Sequence, residues 1–92
     1  MEFLVEIQVN LPPSLPVPDR DALLARERER GRELKSNGTI VRIWRIPGRM
    51  ANVGIWRGAD ADAIHEALTS LPLFPYVDAR VTALATHPLE AT

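Results

Sequence analysis

Glu27 stands out because it interrupts an apolar stripe on a strongly charged predicted helix. Leu23, Glu27 and Leu34 fall on nearly one face of a 3.6-residue spiral. Glu27 therefore occupies a position where a core-facing helix normally carries an apolar side chain. Gly31 follows one turn later and removes a side chain, although glycine inside a helix costs about 1 kcal/mol relative to alanine. A carboxylate beside a missing side chain predicts a pocket on this face.

This carboxylate has the chemistry of a general base. Partial burial raises the pKa of a glutamate, so that the side chain becomes a competent proton acceptor near neutral pH. Arg28 or an arginine on a neighbouring strand would then restrain that rise in pKa or hold an anionic substrate. In the alternative interpretation, Glu27 lies at the edge of the stripe and forms an ion pair with Arg42 or Arg45. The spacing alone leaves both interpretations open.

The sequence gives less support for other kinds of reactive or metal-binding site. The chain has no cysteine, which excludes disulfides, thiol nucleophiles and cysteine-ligated metals. Its two histidines, His65 and His87, form no ligand pair at i, i+3 or i, i+4, so we expect no metal site. The glycines are scattered rather than gathered in a phosphate-binding loop. Glu27 therefore carries the strongest chemical signal in the sequence.

The strands around this helix follow from alternating apolar and polar side chains. Residues 2–10 alternate with a period of two, which predicts a half-buried strand. Residues 39–46 and 51–57 predict a hairpin around the turn Pro47-Gly48-Arg49, and residues 77–84 predict a fourth strand.

Two helices are predicted between these strands. The four prolines of residues 11–18 predict an extended connector, after which a helix begins near Asp19 or Asp21 and runs to about Ser36. A second helix begins within residues 58–62. Its predicted apolar face consists of Ala61, Ile64, Leu68 and Leu71.

The order β-α-β-β-α-β predicts an α+β, ferredoxin-like fold, with one four-stranded antiparallel sheet and two helices on one face. We expect residues 1–92 to form a single domain. The other face of the sheet needs water or a partner, and Leu4 together with Trp44 or Trp56 would make it partly apolar. A domain of this size hides only about 60–65% of its unfolded surface, which favours a homo-oligomer.

Composition narrows the possible partners. A formal net charge of −1 does not fit a nucleic-acid-binding domain, which usually carries a basic excess. No segment has the length of a membrane span, and the N-terminal run does not match a signal peptide, so we expect a cytoplasmic protein without a membrane partner.

A set of short motifs resembles the muconolactone Δ-isomerase family. The most specific is the run Leu71-Pro72-Leu73-Phe74-Pro75-Tyr76, followed by a strand and His87-Pro88. Weaker matches extend the resemblance over nearly the whole chain: Leu11-Pro12, Glu27-Arg28-Glu29, Gly38-Thr39, Trp44-Arg45, Gly48, Ala51-Asn52 and His65.

The resemblance implies a ferredoxin-like fold, large homo-oligomers such as decamers built from dimers, and pockets between subunits. It implies a cofactor-free enzyme of aromatic hydrocarbon catabolism, in the β-ketoadipate pathway. Such an enzyme converts muconolactone into 3-oxoadipate enol-lactone by moving a proton. A related branch dehalogenates chloromuconolactones, and a non-catalytic oligomer that binds small molecules is a further alternative.

The resemblance also suggests roles for particular residues. Glu27 would remove and return the proton, and Asn52 would donate a hydrogen bond to the enolate oxygen. Arg28 or Arg45 would hold the substrate carboxylate. The pocket walls would come from Trp44, Phe74 and Tyr76.

The chain also departs from the family pattern. Met50 stands where the family commonly has tyrosine, Val53 where a second tyrosine is frequent, and Ala85-Thr86 where a cysteine and a basic residue are common. Met50 offers a flexible apolar wall in place of a hydroxyl donor. These departures indicate a divergent member that acts on a related lactone.

Overall fold

A computed structural model describes residues 1–91. Its four strands and two helices follow the predicted order β-α-β-β-α-β. They are β1 (Glu2–Val9), α1 (Val17–Ser36), β2 (Ile40–Arg45), β3 (Ala51–Arg57), α2 (Ala61–Thr69) and β4 (Val77–Leu84), with 3₁₀ turns at Phe74–Tyr76 and Pro88–Ala91. The last residue, Thr92, lies outside the described part of the predicted domain.

The strands form one sheet in the order β2-β3-β1-β4, and every neighbouring pair is antiparallel. Ile7 of β1 lies between Asn52 of β3 and Ala79 of β4. This is the ferredoxin-like topology, so the predicted fold class is confirmed.

The core lies between one face of the sheet and the two helices. Phe3, Val5 and Ile7 point from β1 toward Leu34 of α1 and Ile64 of α2, and all five side chains are buried. Each such side chain contributes roughly 1.5–3 kcal/mol to folding through burial. The sheet and both helices are therefore held by one shared apolar layer.

The first helix begins earlier than predicted. It starts at Val17 rather than at Asp19 or Asp21, and no side chain within residues 1–91 caps it. Pro18 fits in the first turn because the first helical N–H groups need no intrahelical acceptor. The end at Ser36 is confirmed, and Gly38 follows it with a φ of 85°.

The second helix begins with a side-chain cap. Asp60 Oδ1 accepts a hydrogen bond from Ala63 N at 2.9 Å. Ile64, Leu68 and Leu71 are buried as predicted, whereas Ala61, in the first turn of the helix, is exposed. The cap fixes where the buried face begins.

The sheet register separates the two tryptophans. Trp56 pairs with Phe3 and Ile40 and is buried in the core. Trp44 pairs with Val53 on the opposite face, where it is 45% exposed and the Arg42 guanidinium lies 4.9 Å from its ring centroid. Within residues 1–91, neither helix is long and apolar enough to cross a membrane.

Candidate functional site

A cavity of about 330 Å³ lies between α1 and the hairpin side of the sheet. Its lining combines two ionisable side chains and one carboxamide with apolar groups from five segments of the chain. The lining residues are Ile7, Val9, Leu24, Glu27, Ile43, Trp44, Arg45, Met50, Ala51, Asn52 and Leu73. The cavity therefore gathers both residues predicted to be catalytic, Glu27 and Asn52.

Glu27 is held in this cavity by a backbone donor. Its carboxyl group is half-buried, and Oε1 accepts a hydrogen bond from Leu73 N at 2.9 Å. Leu73 is itself only 4% exposed, which anchors the donor in the core. The hydrogen bond occupies one carboxyl oxygen, and Oε2 is the oxygen left to exchange a proton with a ligand.

The segment that carries this donor is a constrained turn. Phe74 N donates to Leu71 O at 2.9 Å, and Tyr76 N donates to Leu73 O at 2.8 Å. Pro72 and Pro75 further restrict the backbone on either side of Leu73. The Leu73 N–H group is thus aimed at α1 by a segment with little conformational freedom.

Burial raises the pKa of Glu27 above its ordinary value, and the hydrogen bond from Leu73 opposes part of that rise. The predicted alternative, an ion pair with Arg42 or Arg45, is wrong. Within residues 1–91 the ion pairs join Arg30 to Glu33, Arg32 to Glu29, and Arg57 to Glu2. Desolvation therefore dominates the environment of Glu27.

The Asn52 side chain lies on the face of the sheet that is turned toward Glu27 of α1. It pairs with Ile7 of β1 and Arg45 of β2, and these neighbours share its face. Its Oδ1 is buried and has no hydrogen-bond partner among residues 1–91. A carboxamide presents one acceptor and one donor group, which a half-turn about its bond to Cβ exchanges. Asn52 is therefore able to bind a polar atom of a ligand.

Arg45 and Met50 are two further lining residues whose side chains can discriminate between ligands. Within residues 1–91, Arg45 is the one cation in this lining, and it comes from the edge strand β2. Met50 is 41% exposed, and its backbone oxygen accepts a hydrogen bond from Val9 N at 2.8 Å. The backbone of Met50 is thus held against β1, while its side chain is partly exposed and lines the cavity.

Three predicted binding residues do not line this cavity. Arg28 is exposed on α1, Phe74 packs against the core, and Tyr76 is half-buried with its backbone oxygen bonded to Asn10 N. Trp44 lines the cavity, but its pairing with Val53 directs its side chain to the open face. Ring contacts from Phe74 and Tyr76 are thus absent from the described cavity.

Gly31 does not shape this cavity. It is absent from the lining, and a methyl group added at this position would meet no atom of residues 1–91 outside its own helical turns within 4 Å. The room for a ligand comes instead from the gap between α1 and the hairpin. The residue that the sequence-based reasoning missed is Leu73, whose contribution is a backbone N–H and so leaves no side-chain signal.

Possible metal ligands do not gather in the described part of the chain. Residues 1–91 contain no group of three or more His, Asp or Glu side chains that could hold a metal ion. His65 lies on the exposed face of α2, and His87 Nδ1 accepts a hydrogen bond from Leu89 N at 3.0 Å.

Comparisons with known proteins identify relatives over nearly the whole chain. The family model described as muconolactone delta-isomerase matches residues 1–90. The Muconolactone Delta-isomerase of Cupriavidus pinatubonensis is 39% identical over 88 residues, covering 96% of each chain. That of Pseudomonas aeruginosa is 36% identical over 96% of this chain and 92% of its own.

A crystal structure of muconolactone isomerase superposes on this fold with a TM-score of 0.89 and 38% sequence identity. The match covers 96% of this chain and 92% of that structure. The chain belongs to the muconolactone delta-isomerase family.

Proposed function

We propose that this protein is an isomerase that moves a carbon–carbon double bond within an unsaturated lactone, as its relatives named Muconolactone Delta-isomerase do with muconolactone. The observation that carries this proposal is the half-buried Glu27 carboxyl group, which shares one cavity with Asn52 and Arg45. An isomerase of this kind needs a base, a group that stabilises an enolate, and an anchor for a carboxylate.

Glu27 is the proposed base for both proton transfers. It takes the proton from the ring carbon that bears the carboxymethyl arm, and the C–H electron pair moves into the ring. The double bond shifts and negative charge accumulates on the lactone carbonyl oxygen. Glu27 then returns the same proton to the carbon next to the carbonyl, which gives 3-oxoadipate enol-lactone from muconolactone. No atom is gained or lost overall.

The geometry of Glu27 suits this shuttle. Leu73 holds one carboxyl oxygen, so the other oxygen has a defined direction toward one face of a bound ring. Partial burial makes the carboxylate more basic than a solvated one, which brings its pKa closer to that of a base working near neutral pH.

Asn52 and Arg45 are the proposed partners of the substrate. The Asn52 carboxamide donates a hydrogen bond to the carbonyl oxygen, where charge develops during proton removal. Arg45 binds the carboxylate of the substrate arm through its planar guanidinium group. Met50 supplies an apolar wall where relatives commonly have a hydroxyl group.

The activity is tested by adding muconolactone to the purified protein and following product formation by ultraviolet absorbance and proton NMR. We expect conversion to the enol-lactone without added metal or organic cofactor. Persistence of muconolactone at high protein concentration would contradict this substrate. The comparisons favour neither the dehalogenase nor the non-catalytic alternative.

We further propose a cytoplasmic homo-oligomer, built from dimers and extending up to a decamer, of a single domain over residues 1–92. Half-buried Leu4 and exposed Trp44 lie on the sheet face that no helix covers within residues 1–91. Light scattering coupled to gel filtration tests this assembly, and a monomer at micromolar concentration would contradict it.

A further inference from the structure

A second cavity, of about 460 Å³, lies beneath the proline-rich connector and the start of α1. Its walls are mainly apolar and include Val9, Leu11, Leu15 and Val17. Arg20 is the one charged residue in this lining among residues 1–91. Its guanidinium group makes no hydrogen bond or ion pair with any residue of that range. Asp19 and Asp21 flank it in sequence but line neither cavity.

Arg20 lies on the same side of α1 as Glu27. The two residues are seven positions apart, which corresponds to nearly two helical turns and about 10 Å along the axis. Leu24 lies between them on this face and lines the Glu27 cavity. A ligand placed along this face therefore extends from the carboxylate of Glu27 toward the guanidinium of Arg20.

Met50 lies at the boundary between the two cavities, because Met50 and Val9 line both of them. Val9 is fixed in β1, and its N–H group holds the backbone oxygen of Met50 at 2.8 Å. The flexible thioether chain of Met50 is thus the movable part of this boundary. The two cavities are distinct, and Val9 and Met50 are the lining residues that they share.

We propose that the second cavity is a subsite for the arm of a lactone substrate whose carboxylate is carried on a chain longer than carboxymethyl. Arg20 binds that carboxylate, and Met50 sets the length of arm that passes between the cavities. The inference rests on the proposed isomerase function and names its substrate class. Apolar walls suit the methylene groups of the arm, and a single unpaired guanidinium suits one terminal carboxylate.

The first test compares two substrates in three variants. The substrates are butenolides with a carboxymethyl arm and with a 4-carboxybutyl arm at the same ring carbon, and kcat/KM is measured for each. Arg20→Gln should lower kcat/KM for the long-arm lactone by roughly 10–100-fold, the range of a lost hydrogen bond to a charged group, with less than a twofold change for the short-arm lactone. Met50→Ala should raise kcat/KM for the long-arm lactone at least several-fold.

Arg26→Gln is the matched control. Arg26 is an exposed arginine on the same helix and lines neither cavity, so its substitution should change kcat/KM for neither substrate.

A binding measurement tests the proposed subsite independently of the proposed isomerase activity. The saturated 4-carboxybutyl lactone has no double bond to move, so calorimetry reports its Kd without turnover. The subsite predicts that Arg20→Gln weakens this Kd at least tenfold and that the methyl ester of the arm binds both proteins equally. If the wild type turns over no lactone but this Kd depends on Arg20, the isomerase function fails and the subsite stands. If lactones are turned over and Arg20→Gln affects both arm lengths equally or neither, the subsite is wrong.

Discussion

Leu73 donates its backbone N–H to Oε1 of Glu27 at 2.9 Å, although the two residues are 46 positions apart in the sequence. This contact joins α1 to the turn that follows α2. It gives the carboxyl group a fixed orientation and favours its ionised form, while burial favours the neutral form. The balance between these two effects sets the pH range in which Glu27 would serve as the proposed base.

The pH dependence of turnover should report this balance. A base must be ionised in the free enzyme, so kcat/KM is expected to rise with pH through the raised pKa of Glu27 and then level off. Replacing the Leu73 N–H with an ester oxygen by chemical synthesis removes the group that lowers this pKa. The inflection of the profile should then move to higher pH.

An ester at Phe74 is the matched control for this profile. It removes the hydrogen bond from Phe74 N to Leu71 O but leaves the donor to Glu27 in place. The inflection should stay where it is in the unmodified protein. Equal displacement by both esters would show that the turn, rather than the Leu73 donor, controls Glu27.

Asn52→Ala should remove the hydrogen bond to the developing enolate. The expected loss in kcat is about 10²–10³-fold, the usual effect of one such donor, with a smaller change in KM. Initial rates at saturating and limiting lactone concentrations measure both constants. An unchanged kcat with a raised KM would show that Asn52 contributes to substrate binding but not to the chemical step.

Glu27→Gln should also change how stability depends on pH. Because the native pKa is raised, ionisation of Glu27 disfavours the folded state, so wild-type stability is highest below the unfolded-state pKa and falls as pH rises through the native one. The variant lacks this ionisation. Thermal unfolding should therefore show the two proteins alike at acid pH and the variant relatively more stable near neutral pH. A constant difference across pH would contradict this.

Two glycines should respond in opposite ways to substitution by alanine. Gly31 is helical and has open space around it, so Gly31→Ala should stabilise the protein by up to about 1 kcal/mol. A Cβ at Gly54 would lie 2.6 Å from Arg42 O, a backbone atom beside the irregular β2 register, so Gly54→Ala should destabilise it. Urea unfolding compares the two variants, and stabilisation by both would contradict the close approach of β2 and β3.

The strands and the unusual position of Glu27 were predictable because both depend on periodicity along one element. The end of α1 was predictable from the Asn37-Gly38 pair that follows it. The sequence could not decide which tryptophan is buried, since that depends on the register between strands: Trp56 pairs with Phe3, and Trp44 with Val53. The start of α1 at Val17 was missed because a proline in a first turn reads like a proline in a connector. The contact of Leu73 with Glu27 was missed because its donor belongs to the backbone and its turn is distant in sequence.

The central claim, that Glu27 is the proton-transferring base, is tested most directly by Glu27→Gln, which keeps the shape of the side chain and an acceptor for Leu73 N–H. Glu29→Gln on the exposed side of the same helix is the control, because Glu29 forms a surface ion pair with Arg32. Measured as kcat for muconolactone, Glu27→Gln should lose about 10²–10⁴-fold while Glu29→Gln keeps wild-type activity. Turnover by folded Glu27→Gln at the rate of the control would show that Glu27 is not the proton-transferring base.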